Sequence, residues 1–174
     1  MSTKAGSNPE AGVIVTHPNR DKSVVQATRA TVIFLLLVSA ALVLIITVGG
    51  AKVLEGSGPM VIQALFVVLY LVLAFYAARW NRGVLPVAAA LGVLLAVFAL
   101  VGAPSWFNRN KTGFTQPAIN AGVLGVLTLL LIPLQILLIA FAMRGFSQGW
   151  NVELEQRVAR ADPGDYGSAS PHPA

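Results

Sequence analysis

A chain of 174 residues with 56% apolar and only 11% charged residues lacks the surface of a water-soluble domain, where about a quarter of residues carry charge. Its formal charge of +5 would suit a nucleic-acid binder, but the cations flank long apolar runs, so no nucleic-acid partner is expected. The lack of cysteine excludes disulfides, thiolate nucleophiles and cysteine-held clusters.

Residues 1–23 read as a disordered cytoplasmic tail, polar and rich in Gly, Ser and Asn at its start. Within it "VIVT" is a short extended stretch with no visible partner strand, and helix is expected to begin near Asp21. His17 precedes a proline and has no companion ligand. The first apolar run, "TVIFLLLVSAALVLIITVGG", covers 31–50. It is too long for the ~7–15-residue core of a signal peptide, so it reads as an uncleaved membrane span. Ser39 inside it has no His or Lys near it in sequence and makes a poor nucleophile candidate.

"AKVLEGSGP" is a turn, with Gly56, Gly58 and Pro59 breaking the helical pattern. The second span covers 60–78 and carries Gln63 near its start. The tight connection "RWNRG" makes spans two and three an antiparallel hairpin. The third span, 84–103, places Ala88, Gly92 and Ala96 four residues apart. That small-residue ladder would let a neighbouring backbone approach closely, a role in helix packing.

The loop "PSWFNRNKTGFTQP" follows, with Pro104 and Pro117 expected to punctuate the helix ends. Trp106 reads as an interfacial anchor, with Arg109 and Lys111 reaching lipid phosphates. The sharper alternative is an outer recognition loop built on Trp106, Arg109 and Lys111. Its "NKT" matches a glycosylation sequon but lies close to the membrane.

The fourth span, 118–143, is longer than the ~20 residues a hydrocarbon core needs, and it contains Pro133. A kink near Leu129 is expected, with Thr128 helping to satisfy the freed carbonyls. Gln63, Asn120, Thr128 and Gln135 form a candidate polar pocket, against the plainer reading of interhelical hydrogen bonds. After the span, Trp150, Leu154 and Val158 recur every four residues, so 146–162 reads as an amphipathic cytoplasmic helix. Residues 163–174 read as a disordered tail.

No span contains Asp, Glu, Lys, Arg or His. Intramembrane chemistry needs ionisable groups or metal ligands, so no catalytic residue, metal site or cofactor is expected. Lys4, Arg20, Lys22, Arg29, Arg79, Arg82, Arg144, Arg157 and Arg160 fall on one side, against Lys52, Arg109 and Lys111 on the other. That bias places both termini in the cytoplasm, in a multi-pass protein of the cell membrane. The fold class expected is an all-α integral membrane protein, a four-helix transmembrane bundle over 24–145 with disordered cytoplasmic tails. The role expected is a non-enzymatic structural or accessory subunit of a larger membrane assembly. Its partners would be membrane lipids and other membrane subunits or further copies of itself. The alternative is a small oligomeric transporter or lipid-handling protein using the polar groups near Pro133.

Overall fold

Runs of Leu, Val, Ile and Ala without a charged side chain give the backbone few partners but itself, and the chain coils into four long helices. The computed structural model describes residues 13–16, 22–53, 57–150 and 154–157. In chain order these form β1 (Val13–Thr16), α1 (Ser23–Gly50), α2 (Ser57–Ala78), α3 (Val84–Arg109), α4 (Ala121–Ser147) and β2 (Leu154–Arg157). All four helices are long and apolar enough to cross a membrane. The shortest, α2 with 22 residues, extends about 33 Å at ~1.5 Å per residue, against ~30 Å of hydrocarbon.

The helices run up and down in a ring. Helix α1 packs on α2 and α4, and α3 packs on α4. The fourth side is loose, for α2 and α3 are the most sparsely touching neighbours. One end of the bundle carries the α1–α2 and α3–α4 connections and is called the loop end here. The other, the tail end, carries the α2–α3 turn, the start of α1 and the end of α4.

The core runs along the bundle through Val32, Leu36, Leu85, Leu124 and Leu138, all fully buried. The opposite faces are apolar as well. Phe34, Val61, Val101 and Ile136, one on each helix, are between 60% and 73% exposed. Apolar surface on every outward side suits lipid and not water.

The ends differ from the sequence expectation. Helix α3 does not stop at Ala103; it continues through Pro104 to Arg109. A proline φ is itself helical, so the helix can continue through it, at the loss of one hydrogen bond and some crowding of the carbonyl four residues back. Two aromatic rings then hold the extra turn. Trp106 lies on Gly50 of α1, and a Cβ at Gly125 of α4 would stand 2.9 Å from the Phe107 ring. Pro133 likewise lies inside α4 without ending it.

Among the described residues of 146–162, the structure departs from the amphipathic helix expected there. Helix α4 ends at Ser147, Gly149 takes a left-handed φ of 60°, and Leu154–Arg157 is a strand. It pairs antiparallel with β1, Val13 opposite Arg157 and Thr16 opposite Leu154. A β-branched stretch inside the tail expected to be disordered therefore has its partner at the other end of the chain. Spacing of four, as in Trp150, Leu154 and Val158, fits a period of two as well as 3.6, which is why it misled. The rest of 1–21 and 158–174 lies outside the described residues.

Trp150 is not a surface residue either. It is fully buried at the tail end, over Gly145, where a Cβ would stand 2.9 Å from its ring, and edge-on to Trp80 with ring centroids 5.8 Å apart. Gln148 links the segment to α1, its Nε2 donating to Thr28 Oγ1 at 3.1 Å. On the same end Arg29 of α1 donates to the carbonyls of Ala77 and Ala78, and its guanidinium lies 4.2 Å from the Trp80 ring centre. Helix α2 has no basic residue in its own last turn, so Arg29 supplies the cation its C-terminus favours.

Candidate functional site: a buried polar network and a cavity at the loop end

The polar side chains of the spans divide into two groups at different depths. The deeper group joins three helices near their midpoints. Tyr70 of α2 donates its hydroxyl to Gln135 Oε1 of α4 at 2.9 Å. Gln135 Nε2 donates to Ser39 Oγ of α1 at 2.9 Å, and Ser39 donates to its own helix at Leu35 O, 2.7 Å away. All three side chains are fully buried. Each hydroxyl proton has an acceptor, and both ends of the amide are bonded. In an apolar interior such a bond has no water to compete with it, and an unmade one leaves a costly orphan.

Helix α3 meets this network through a glycine. A Cβ at Gly92 would lie 3.2 Å from Ile139 Cγ1 and 3.5 Å from Gln135 Oε1. Of the ladder read from the sequence, Ala88 and Gly92 are buried against neighbours and Ala96 is half-exposed. The buried stripe runs instead through Leu85, Ala88, Gly92, Leu95, Ala99, Ala103 and Trp106.

The shallower group lies toward the loop end. Thr47 Oγ1 sits 2.6 Å from Gln63 Oε1 and 2.7 Å from the Val43 carbonyl. Thr128 is buried and donates to Leu124 O at 2.7 Å. Proline at 133 frees the Leu129 carbonyl, so Thr128 does not serve that carbonyl as expected. Gln63 and Thr128 share a cavity of about 100 Å³, whose walls are otherwise mainly Val43, Phe66, Leu95, Phe98, Trp106 and Leu131.

The four residues read as one polar pocket are therefore distributed. Gln63 and Thr128 line the cavity, Gln135 belongs to the deeper network, and Asn120 caps a helix. Its side chain accepts from the Gly122 N–H at 2.8 Å, as an N-cap asparagine does.

The loop residues also separate. Trp106 is 7% exposed and packs inward, so it is a core residue and not an interfacial anchor. Arg109 is half-exposed at the end of α3, and Lys111 is exposed beyond it. The loop is tied down on its far side, where the Ile119 N–H donates to Gly49 O at 3.3 Å.

Sequence reasoning missed Tyr70 and the partnership of Ser39. The available signal was depth. Ser39, Tyr70 and Gln135 all stand near the middle of their helices, and polar groups at one depth of an apolar bundle find each other. Ser39 has no base beside it. Its lone pair takes the Gln135 amide and its proton goes to the backbone. Among the described residues no cluster of His, Asp or Glu has the makings of a metal site.

Compared with known proteins, the chain matches no family model, no curated protein and no solved structure.

Proposed function

We propose that this chain is a non-enzymatic multi-pass protein of the cell membrane, serving as a structural or accessory subunit of a larger membrane assembly. The observation that carries the reading is the Ser39–Gln135–Tyr70 network. The polar groups at mid-bundle bond to one another, which stiffens the bundle and leaves none of them to bind or transform a substrate. The apolar exterior on all four helices supports insertion in lipid. The cation bias, nine against three, supports cytoplasmic termini. The partners proposed are membrane lipids and other membrane subunits or further copies of this chain. The exposed turn from 110 to 116, with Lys111, is the part most open to a partner outside the bilayer.

Purification of the tagged chain from its native membrane in mild detergent, with mass analysis of what accompanies it, tests this reading. A defined partner or a defined homo-oligomer is expected. Recovery as a single chain at every detergent-to-protein ratio contradicts it.

One observation favours a second reading, a small transporter or lipid-handling protein. The cavity at Gln63 and Thr128 is a space between helices that such a protein would use. The region near Pro133 lends less support, since the Gln135 amide is engaged at both ends.

A further inference from the structure

The loose side of the ring and the cavity meet. Outside the α2–α3 seam lies a second hollow of about 230 Å³, lined by Pro59, Ile62, Gln63 and Phe98. The inner cavity shares Ile62, Gln63 and Phe98 with it. The two spaces thus adjoin at one polar side chain, with the Phe66 and Phe98 rings closing the seam edge to face, centroids 5.9 Å apart.

Gln63 is the unusual wall. Thr47 Oγ1 has one proton and lies 2.6 Å from the Gln63 amide and 2.7 Å from the Val43 carbonyl, so whichever way the amide faces, at least one of its N–H groups has no acceptor among the described residues. An amide donor without an acceptor in apolar surroundings favours a ligand that carries one. The remaining walls are almost wholly hydrocarbon. An engineered apolar cavity of ~150 Å³ takes a benzene ring, so the inner space is on the order of a few methylenes.

We propose that the α2–α3 seam is a lipid site, occupied by one acyl chain of a bilayer phospholipid. The ester carbonyl accepts from Gln63 Nε2, and the chain passes Phe98 into the space between Leu95 and Leu131. This rests on the reading of the four helices as membrane spans, which puts phospholipid against the seam at bilayer concentration. It adds to the subunit role a bound lipid that fills the one side the helices leave open.

The test reconstitutes the full chain in phosphatidylcholine nanodiscs doped with a phosphatidylcholine bearing a photoactivatable group on its acyl chain. Irradiation should place adducts on the seam, around Phe66 and Phe98, well above those on the Phe34 face. Gly102→Leu is the blocking variant. Gly102 lines the inner cavity, and a Cβ there meets nothing within 4 Å, so the backbone leaves room for a side chain to start into that space. Seam labelling should fall to the Phe34 level while the thermal transition stays in place. Gln63→Leu keeps the volume but removes the donor, and should also reduce seam labelling. Labelling no stronger than at Phe34, or unchanged by Gly102→Leu, overturns the site. Labelling unchanged by Gln63→Leu overturns the assignment of the amide. Loss of the wild-type chain from membranes on alkaline extraction contradicts the membrane reading itself, whereas firm insertion without seam labelling contradicts the lipid site alone.

Discussion

Gln135 shows how one residue can bind three helices together. Its oxygen takes the Tyr70 proton from α2 and its nitrogen reaches Ser39 on α1. Gln135→Leu would leave the Tyr70 hydroxyl without an acceptor, a penalty of about 1–3 kcal/mol. Tyr70→Phe removes the group that suffers, so the double variant should be more stable than the two single losses added together. Measured by unfolding in mild detergent, the coupling should be about 0.6–2 kcal/mol. Strict additivity would mean that the bond contributes nothing. A second contrast separates core from surface in the loop after span three. Trp106→Ala removes a buried ring against Gly50 and should cost about 3–5 kcal/mol. Lys111→Ser, in the exposed turn, should stay within about 0.5 kcal/mol, as exposed substitutions usually do. Equal losses in a thermal melt would contradict this division. The sequence made Trp106 look interfacial because it follows a proline at the end of an apolar run. Nothing in one chain's sequence says that Gly50, more than fifty residues earlier, makes room for its ring.

At the scale of elements, apolar runs announce the helices and hide their contacts. The four spans were legible because an uncharged run of about twenty residues has few other solutions. Their ends were not, because Pro104 reads as a stop and only tertiary packing shows that the helix passes through it. Strand β1 was legible as extended, but its partner lay at the far end of the chain, where a spacing of four imitated a helix. Packing of α3 on α4 gives a direct test. Gly92→Leu must displace Ile139 and press on Gln135, so overpacking should cost about 1–3 kcal/mol. Ala96→Leu on the half-exposed edge should cost less, and the reverse order in detergent melts would contradict the assigned face. The α2 terminus gives another. Arg29→Met removes a cation from the Ala77 and Ala78 carbonyls and from the Trp80 ring. Hydrogen exchange should quicken at Arg79–Asn81, whose N–H groups bond to the last turn of α2. Lysine at 29 should restore little, having no planar fork to span two carbonyls. Unchanged exchange would mean that α2 ends without help from α1.

On the scale of the molecule, polar groups bonded to each other lie inside, an apolar surface faces outward on every helix, and cations gather at one end. Arg29, Arg79, Arg82 and Arg144 all stand at the tail end. Three of these guanidiniums lie over rings of that end, Arg29 on Trp80, Arg79 on Phe75 and Arg82 on Phe146, at 4.2, 4.9 and 4.2 Å from the ring centres. Such an arrangement supports the proposal that the four helices cross a bilayer with the tail end in the cytoplasm. The chain has no native cysteine, so a single introduced thiol reports its own side of the membrane. The most direct measurement is labelling of intact cells by a membrane-impermeant thiol reagent, with Thr112→Cys at the loop end and Asn81→Cys at the tail end as separate variants. With the tail end in the cytoplasm, Thr112→Cys should react from outside and Asn81→Cys only after permeabilisation. Reaction of Asn81→Cys in intact cells, or of both variants only after permeabilisation, would contradict that placement.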